Sequence, residues 1–190
     1  MTFLIVGLAL FLGIHSVSIV APAWREAQLA QRGEAAWKGL YSVVSGAGLA
    51  LLIYGYGVAR QEPIVLYTPP PALRHVAMLL LLPVFVLLLA VYLPGRIKTA
   101  AKHPMLLATQ LWALAHLLVN GTLADALLFG GFLAWAVADR ISLERRPARM
   151  VPALPARPAN DAIALVGGLV LYALILLWAH AFAFGVAPLR

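Results

Sequence analysis

The 190-residue chain is 63% hydrophobic and only 11% charged, with a mean hydropathy of +0.92, so it has too few polar residues to cover a water-soluble core. Lys and Arg outnumber Asp and Glu by 14 to 7, but they lie in short loops between apolar runs, which argues against a nucleic-acid partner. The absence of cysteine excludes disulfides, thiolate metal sites, iron–sulfur clusters and haem attached through thioethers. A lipid bilayer is therefore the expected surrounding of this chain.

Six apolar runs have about the length that a helix needs to cross ~30 Å of hydrocarbon. The runs are continuously apolar rather than alternating, which predicts helices and disfavours a lipid-facing barrel. The first run follows no basic residue and is long enough to span, so we interpret it as a membrane helix and not as a cleaved signal. The prediction is an all-α polytopic membrane helix bundle with spans at roughly 2–22, 39–59, 73–94, 104–120, 123–140 and 163–186.

The charge of the loops predicts the orientation of these spans. Eleven of the 14 basic residues fall in the loops after spans 1, 3 and 5, and basic loops favour the cytoplasmic side. Both termini are therefore expected outside. The residues assigned to the inside are Arg25, Arg32, Lys38, Arg96, Lys98, Lys102, Arg140, Arg145, Arg146, Arg149 and Arg157, and those assigned to the outside are Arg60, Arg74 and Arg190.

Local signals mark the ends of the fourth and fifth spans. Pro104 is expected in the first turn of helix 4, where its missing N–H is not needed. The very short turn at residues 120–121 predicts that helices 4 and 5 form an antiparallel pair. Thr122 followed by Asp125 is typical of a capping box at the start of helix 5. Small residues in spans 2 and 5 predict close helix packing, at Gly46, Gly48, Gly55, Gly57, Gly130 and Gly131.

The segment from 142 to 160 is rich in Pro and Arg and is interpreted as a cytoplasmic linker without a core of its own. We therefore divide the chain into a five-helix membrane domain at 1–140, a linker at 141–160 and an additional C-terminal transmembrane helix at 161–190.

Histidines are the polar residues that lie deepest in the apolar runs. His15 is well inside span 1 and His116 is deep in span 4, whereas His75 and His103 are near span ends and His180 is in the outer third of span 6. Two neutral imidazoles from different helices are the usual means of holding a b-type haem in a bundle. The alternative is that each histidine only makes one hydrogen bond between helices.

Counting depth along the helices tests this pairing. At ~1.5 Å per residue, His116 is ~20 Å from the inner end of its helix and His15 is ~10–15 Å from the inner end of its own. Helix tilts of ~20° accommodate that difference of about one turn. Asn120 lies four residues after His116 on the same face, where its amide would either orient the imidazole or cap the helix.

Other chemistry has little support in the sequence. A nucleotide-binding glycine loop, an HExxH helix and a GxSxG elbow are absent, which argues against a hydrolase or an ATP-driven protein. Acidic residues are almost absent from the predicted spans, which argues against a proton-coupled carrier.

Several segments together resemble the NnrU family of bacterial membrane proteins over roughly residues 1–140. These are Ile14-His15-Ser16, Trp37-Lys38-Gly39-Leu40-Tyr41-Ser42, His103-Pro104-Met105-Leu106-Leu107 and Leu111-Trp112-Ala113-Leu114-Ala115-His116-Leu117-Leu118-Val119-Asn120-Gly121. The resemblance implies a multi-pass protein of the bacterial inner membrane with an accessory role in denitrification, in nitrite and nitric oxide metabolism.

The same family is similar to the plastid zeta-carotene isomerase, a membrane enzyme that uses non-covalent haem b. That similarity implies haem b as a cofactor, His15 and His116 as its axial ligands, and isomerisation of a hydrophobic polyene as an alternative function. The enzyme carries a Cys three residues before the histidine that corresponds to His116, and this chain has Ala113 there, so a thiol-dependent change of ligand is not available. We assign His15, His116 and Asn120 to the expected cofactor site.

Overall fold

The computed structural model describes residues 1–146 and 152–189, and these residues are mostly helical. Within them no strand occurs, and the one β-bridge pairs Val65 with Thr122. The all-α prediction is therefore confirmed. The helices are α1 Thr2–Val20, α2 Pro22–Ala59, α3 Leu73–Leu81, α4 Val84–Tyr92, α5 Arg96–Ala101, α6 Pro104–Val119, α7 Leu123–Leu143, α8 Asn160–Leu174, a π-helical turn Ile175–Ala179, and α9 His180–Phe184.

Five helical stretches in the described part of the chain are long and apolar enough to cross a membrane, and α6 is a shorter apolar helix of 16 residues. The exact number of spans and their orientation stay predictions. Arg149 and Arg190, which entered the charge argument, lie outside the described residues. The five long stretches are Thr2–Val20, Pro22–Ala59, Leu73–Tyr92, Leu123–Leu143 and Asn160–Phe184.

Helix α2 begins much earlier than the sequence predicted. Pro22 stands in its first turn, where proline is well tolerated, so the region expected as a loop between spans 1 and 2 is helical. Gly33 interrupts this helix with φ +79° and ψ 161°, a conformation that an L side chain rarely adopts. The chain bends there between a short helical segment and the apolar remainder of α2.

The third and sixth spans are also less regular than predicted. Pro83 lacks the N–H that a continuous helix needs, and it separates α3 from α4. The last span contains a π-helical turn at Ile175–Ala179, in which hydrogen bonds join residues five apart instead of the four of an α-helix. Both interruptions keep the span long enough to cross a membrane.

By packing, the chain forms two compact units. The first comprises Met1–Thr68 and Asn120–Glu144, and in it α1 lies antiparallel to α2. A Cβ added at Gly48 would lie 2.7 Å from the Phe11 nitrogen, and one added at Gly55 would collide with the backbone of Leu4, so these glycines permit the close approach. Helix α7 also packs on α1, with the Phe132 ring 5.7 Å from that of Phe11.

The prediction that glycines in spans 2 and 5 permit close helix packing therefore holds for three of the six positions. Gly48, Gly55 and Gly131 face neighbouring helices, Gly131 towards Leu12. An added Cβ at Gly46, Gly57 or Gly130 would meet open space among the described residues, so the prediction of close packing is wrong for these three.

The second unit comprises Pro69–Val119 and Arg145–Arg190. Helix α6 packs against α3 and α4 around Val84, Leu87 and Ala108. Helix α8 lies antiparallel to α4, where a Cβ at Gly168 would lie 2.5 Å from the Val86 nitrogen. The last helix is therefore packed into this unit and not attached only by a linker.

The described part of the segment between α7 and α8 is also held in place. The Leu154 N–H donates to the Tyr92 carbonyl at 2.9 Å, and the buried Asn160 amide donates to the Pro94 carbonyl at 2.8 Å. Asp161 accepts from the backbone N–H groups of Arg96 and Ile97 at 2.8 and 3.0 Å. These bonds fix the start of α8 against the loop before α5, while the three-part division at 140 and 160 stays a prediction.

Candidate functional site

His15 lies on α1 with one ring nitrogen occupied by its own helix. Its Nδ1 is 2.6 Å from the Phe11 carbonyl oxygen one turn earlier, so Nδ1–H is the donor. The neutral ring then presents Nε2 as the nitrogen with a lone pair. A hydrogen bond of this kind from the distal ring nitrogen is what orients histidines that ligate metals.

Aromatic rings from three helices surround this imidazole. The His15 ring centroid is 4.3 Å from that of Phe11 on α1, 5.1 Å from that of Tyr41 on α2 and 5.9 Å from that of Trp135 on α7. Interhelical register brings Tyr41 and Trp135 here, and the sequence alone did not show it. The only local signal was the three-residue spacing of Phe132 and Trp135, which places both on one face of α7.

Trp135 carries an unsatisfied donor. Its Nε1 atom is buried and has no hydrogen-bond acceptor in the described part of the chain. Buried polar groups of native proteins are nearly always paired, so such an atom indicates a partner outside the described part of the chain. This atom belongs to the residue whose ring is perpendicular to that of His15.

His116 on α6 repeats the arrangement found at His15. Its Nδ1 is 2.8 Å from the Trp112 carbonyl oxygen, so Nδ1–H is the donor here too. The Trp112 ring lies 5.3 Å from the imidazole, and the flanking Ala113 and Ala115 are fully buried. Helix α6 begins at Pro104, which confirms the predicted start of that helix.

The remaining predicted residues are placed as follows. His15 belongs to the first unit and His116 to the second. Asn120 follows α6, and its carbonyl accepts from the Tyr67 hydroxyl at 2.7 Å. That contact involves the main chain of Asn120, and the proposed role of its amide towards His116 stays a prediction.

The other histidines do not extend the site. His180 uses Nδ1 to contact the Val186 carbonyl at 2.7 Å, and His75 is exposed. Across residues 1–146 and 152–189, no group of three or more His, Cys, Asp or Glu side chains is arranged to hold a metal ion.

Asp125 forms a polar cluster at the start of α7. The Thr122 side chain accepts from the Asp125 N–H, and the carboxylate accepts from the Thr122 N–H, which confirms the predicted capping box. The Tyr56 hydroxyl from α2 also donates to this carboxylate, at 2.5 Å. The sequence did not predict this second partner, because nothing local places Tyr56 beside α7.

The surroundings of His15 fit a haem b group in two respects. The Phe11 carbonyl engages Nδ1 as in histidines that ligate metals through Nε2, and aromatic rings with one buried donor, that of Trp135, lie beside the imidazole. These are the properties expected of axial ligation in an apolar helix bundle.

The fold and the two histidine environments define a helical-bundle protein with helices fit to cross a membrane and with imidazoles among its helices. The chain belongs to the NnrU protein family, whose model matches residues 3–188. The match includes the segment between α7 and α8 and the last span, beyond the residues on which the resemblance rested. No curated protein matches the chain, and no solved structure matches it.

Proposed function

We propose that this NnrU-family chain is a bacterial inner-membrane protein that binds haem b through His15 and His116 and has an accessory role in denitrification. The observation that carries the proposal is at His15, where Nδ1 is engaged by the Phe11 carbonyl one turn earlier at 2.6 Å, so that Nε2 is the nitrogen that would coordinate iron. His116 makes the same backbone contact with the Trp112 carbonyl, at 2.8 Å. Haem, when bound, supplies an iron centre that exchanges electrons.

The residues of the chain perform separate tasks in this proposal. His15 and His116 ligate iron, and the carbonyls of Phe11 and Trp112 hold their rings in one tautomer. The rings of Phe11 and Trp135 exclude water from the His15 side. Asn120 is proposed to orient the His116 ring from the following turn of the chain.

A haem-dependent isomerase of a hydrophobic polyene is the alternative function. It requires an exchangeable axial ligand beside a pocket that the substrate enters from lipid. Position 113 holds a fully buried alanine one turn before His116, so no thiol is present there to replace the imidazole. This observation favours the accessory role over the isomerase.

The test is an absorption spectrum of the protein purified in detergent after expression with ample haem, recorded oxidised and reduced. We expect a Soret band and sharp reduced α and β bands in the wild type, and loss of most bound haem in His15→Ala and in His116→Ala. His180→Ala is the matched control, since that histidine also contacts a carbonyl through Nδ1, and it should keep its haem. A colourless wild type, or full haem in either axial variant, would refute the cofactor assignment.

The physiological part of the proposal needs a separate experiment. Deleting the gene should slow nitrite or nitric oxide consumption by cells that respire nitrate, and the His116→Ala protein should fail to restore it. Unchanged consumption, together with conversion of a cis-polyene by the purified wild type, would favour the isomerase.

A further inference from the structure

The buried indole N–H of Trp135 has no acceptor among the described residues. Leaving a buried donor unpaired destabilises a folded protein, because the desolvated N–H loses its hydrogen bond to water and gains none in return. The five tryptophans of the chain differ in this respect, since Trp135 is the one whose buried nitrogen lacks a partner in the described part of the structure.

The position of Trp135 on α7 is fixed by contacts with α1. One turn earlier, Phe132 packs against Phe11, and the neighbouring Gly131 faces Leu12. Phe11 is in turn the residue whose carbonyl engages His15. Trp135 therefore lies at the level of His15, and its ring makes an edge-to-face contact with the imidazole, with an interplanar angle of 89°.

The chemistry of haem b limits what this donor can bind. The four pyrrole nitrogens are bound to iron, and the rest of the porphyrin is apolar apart from two propionate carboxylates. A hydrogen bond to a carboxylate is about twice as strong as one between neutral groups, and more so away from water. A propionate is therefore the acceptor that haem b offers to a donor beside its axial ligand.

We propose that Trp135 is a haem-binding residue whose Nε1–H donates a hydrogen bond to a propionate carboxylate of the haem held by His15. This inference rests on the proposed function, and it adds a residue and a contact that neither the sequence motifs nor the histidines indicate. The indole N–H is hydrogen-bonded only when haem is present, so binding of haem stabilises the packing of α7 on α1.

The test compares haem b with its dimethyl ester, in which the negative charge of both propionates is removed. We expect the wild-type apoprotein to prefer haem b over the ester, and Trp135→Phe to reduce that preference about tenfold, as expected for loss of a charged hydrogen bond of about 1.4 kcal/mol. Trp178→Phe is the matched control, because Trp178 is exposed and stacks on Phe182, and its preference should equal that of the wild type.

A second measurement uses the wild type alone and does not depend on the folding of a variant. With 15N-labelled tryptophan, one indole N–H resonance should move downfield when zinc protoporphyrin IX binds, and should not do so with its dimethyl ester. Equal affinity of the wild type for haem b and its ester, or identical indole spectra with the two zinc porphyrins, would overturn the inference.

The outcomes separate this inference from the proposed function. A wild type that binds no haem overturns both. Haem that is lost in His15→Ala but shows the same preference in the wild type and Trp135→Phe overturns only the role of Trp135, whose donor would then be satisfied by water.

Discussion

The Tyr56 hydroxyl donates a 2.5 Å hydrogen bond to the Asp125 carboxylate, and this bond joins the end of α2 to the first turn of α7. The second oxygen of the same carboxylate accepts from both the N–H and the hydroxyl of Thr122, at 3.0 and 2.6 Å. Asp125 is only 5% exposed, so these three donors replace the water that an ionised carboxylate would otherwise need. The cap of α7 and the attachment of α2 therefore depend on one side chain.

Replacing Tyr56 with Phe should destabilise the protein by about 1–3 kcal/mol, because it removes one donor from a buried carboxylate. Asp125→Ala should cost about 1 kcal/mol more, since the capping box is lost as well. The measurement is the midpoint of thermal unfolding in detergent. Tyr92→Phe, at a half-exposed ring, is the control and should leave the midpoint unchanged, and an unchanged midpoint in Tyr56→Phe would show that the bond contributes nothing.

Gly55→Ala should destabilise the protein by about 1–3 kcal/mol, because the new methyl group would collide with the backbone of Leu4 and force α1 away from α2. Gly57→Ala on the same helix meets open space and should be neutral. The comparison is again made by thermal unfolding in detergent. Equal effects of the two substitutions would contradict the close approach of α1 and α2 at Gly55.

Asp161→Ala should expose the backbone N–H groups of Arg96 and Ile97, which have this carboxylate as acceptor at 2.8 and 3.0 Å. Hydrogen–deuterium exchange of these two amides should become several-fold faster, with little change in α6. Asp161→Asn, which keeps one carbonyl acceptor, should give an intermediate rate. Exchange as slow as in the wild type would mean that the carboxylate does not cap α5, and substitution of the exposed Glu62 with Ala provides the baseline.

The predicted orientation can be tested by labelling single introduced cysteines, because the chain itself contains no cysteine. Glu62→Cys, in the loop expected outside, should react with a membrane-impermeant maleimide applied to the outer face of the inner membrane in spheroplasts. Ala100→Cys, on the exposed surface of α5, should react only after the membrane is opened. The reverse pattern would invert the topology while leaving the fold unchanged.

Composition and hydropathy predicted the helical class and nearly all of the apolar helices, because a bilayer leaves a polypeptide few other solutions. Sequence signals that act within one helical turn also predicted where helices begin, as with Pro104 at the start of α6 and the Thr122–Asp125 capping box at the start of α7. The helical region from Pro22 to the bend at Gly33 was not predicted, because its residues are too polar to indicate a membrane span.

The candidate site was predicted only in part. Burial selected His15 and His116, and the structure adds the carbonyl contacts of both rings. The contacts of Tyr41 and Trp135 with His15 were not predicted, since a single sequence does not encode which faces of α2 and α7 meet α1. Register between helices depends on packing at positions such as Gly48 and Gly131, and only coordinates show which glycines are used.

The two compact units interleave along the chain, and this has a consequence for biosynthesis. Helices α1 and α2 leave the ribosome first, but their unit is completed only when α7 arrives, after the whole middle section has been made. The second unit likewise waits for α8 to close against α4. Nascent chains that stop before residue 120 therefore contain neither complete unit. Both units stay incomplete in the membrane until α7 and α8 have been synthesised.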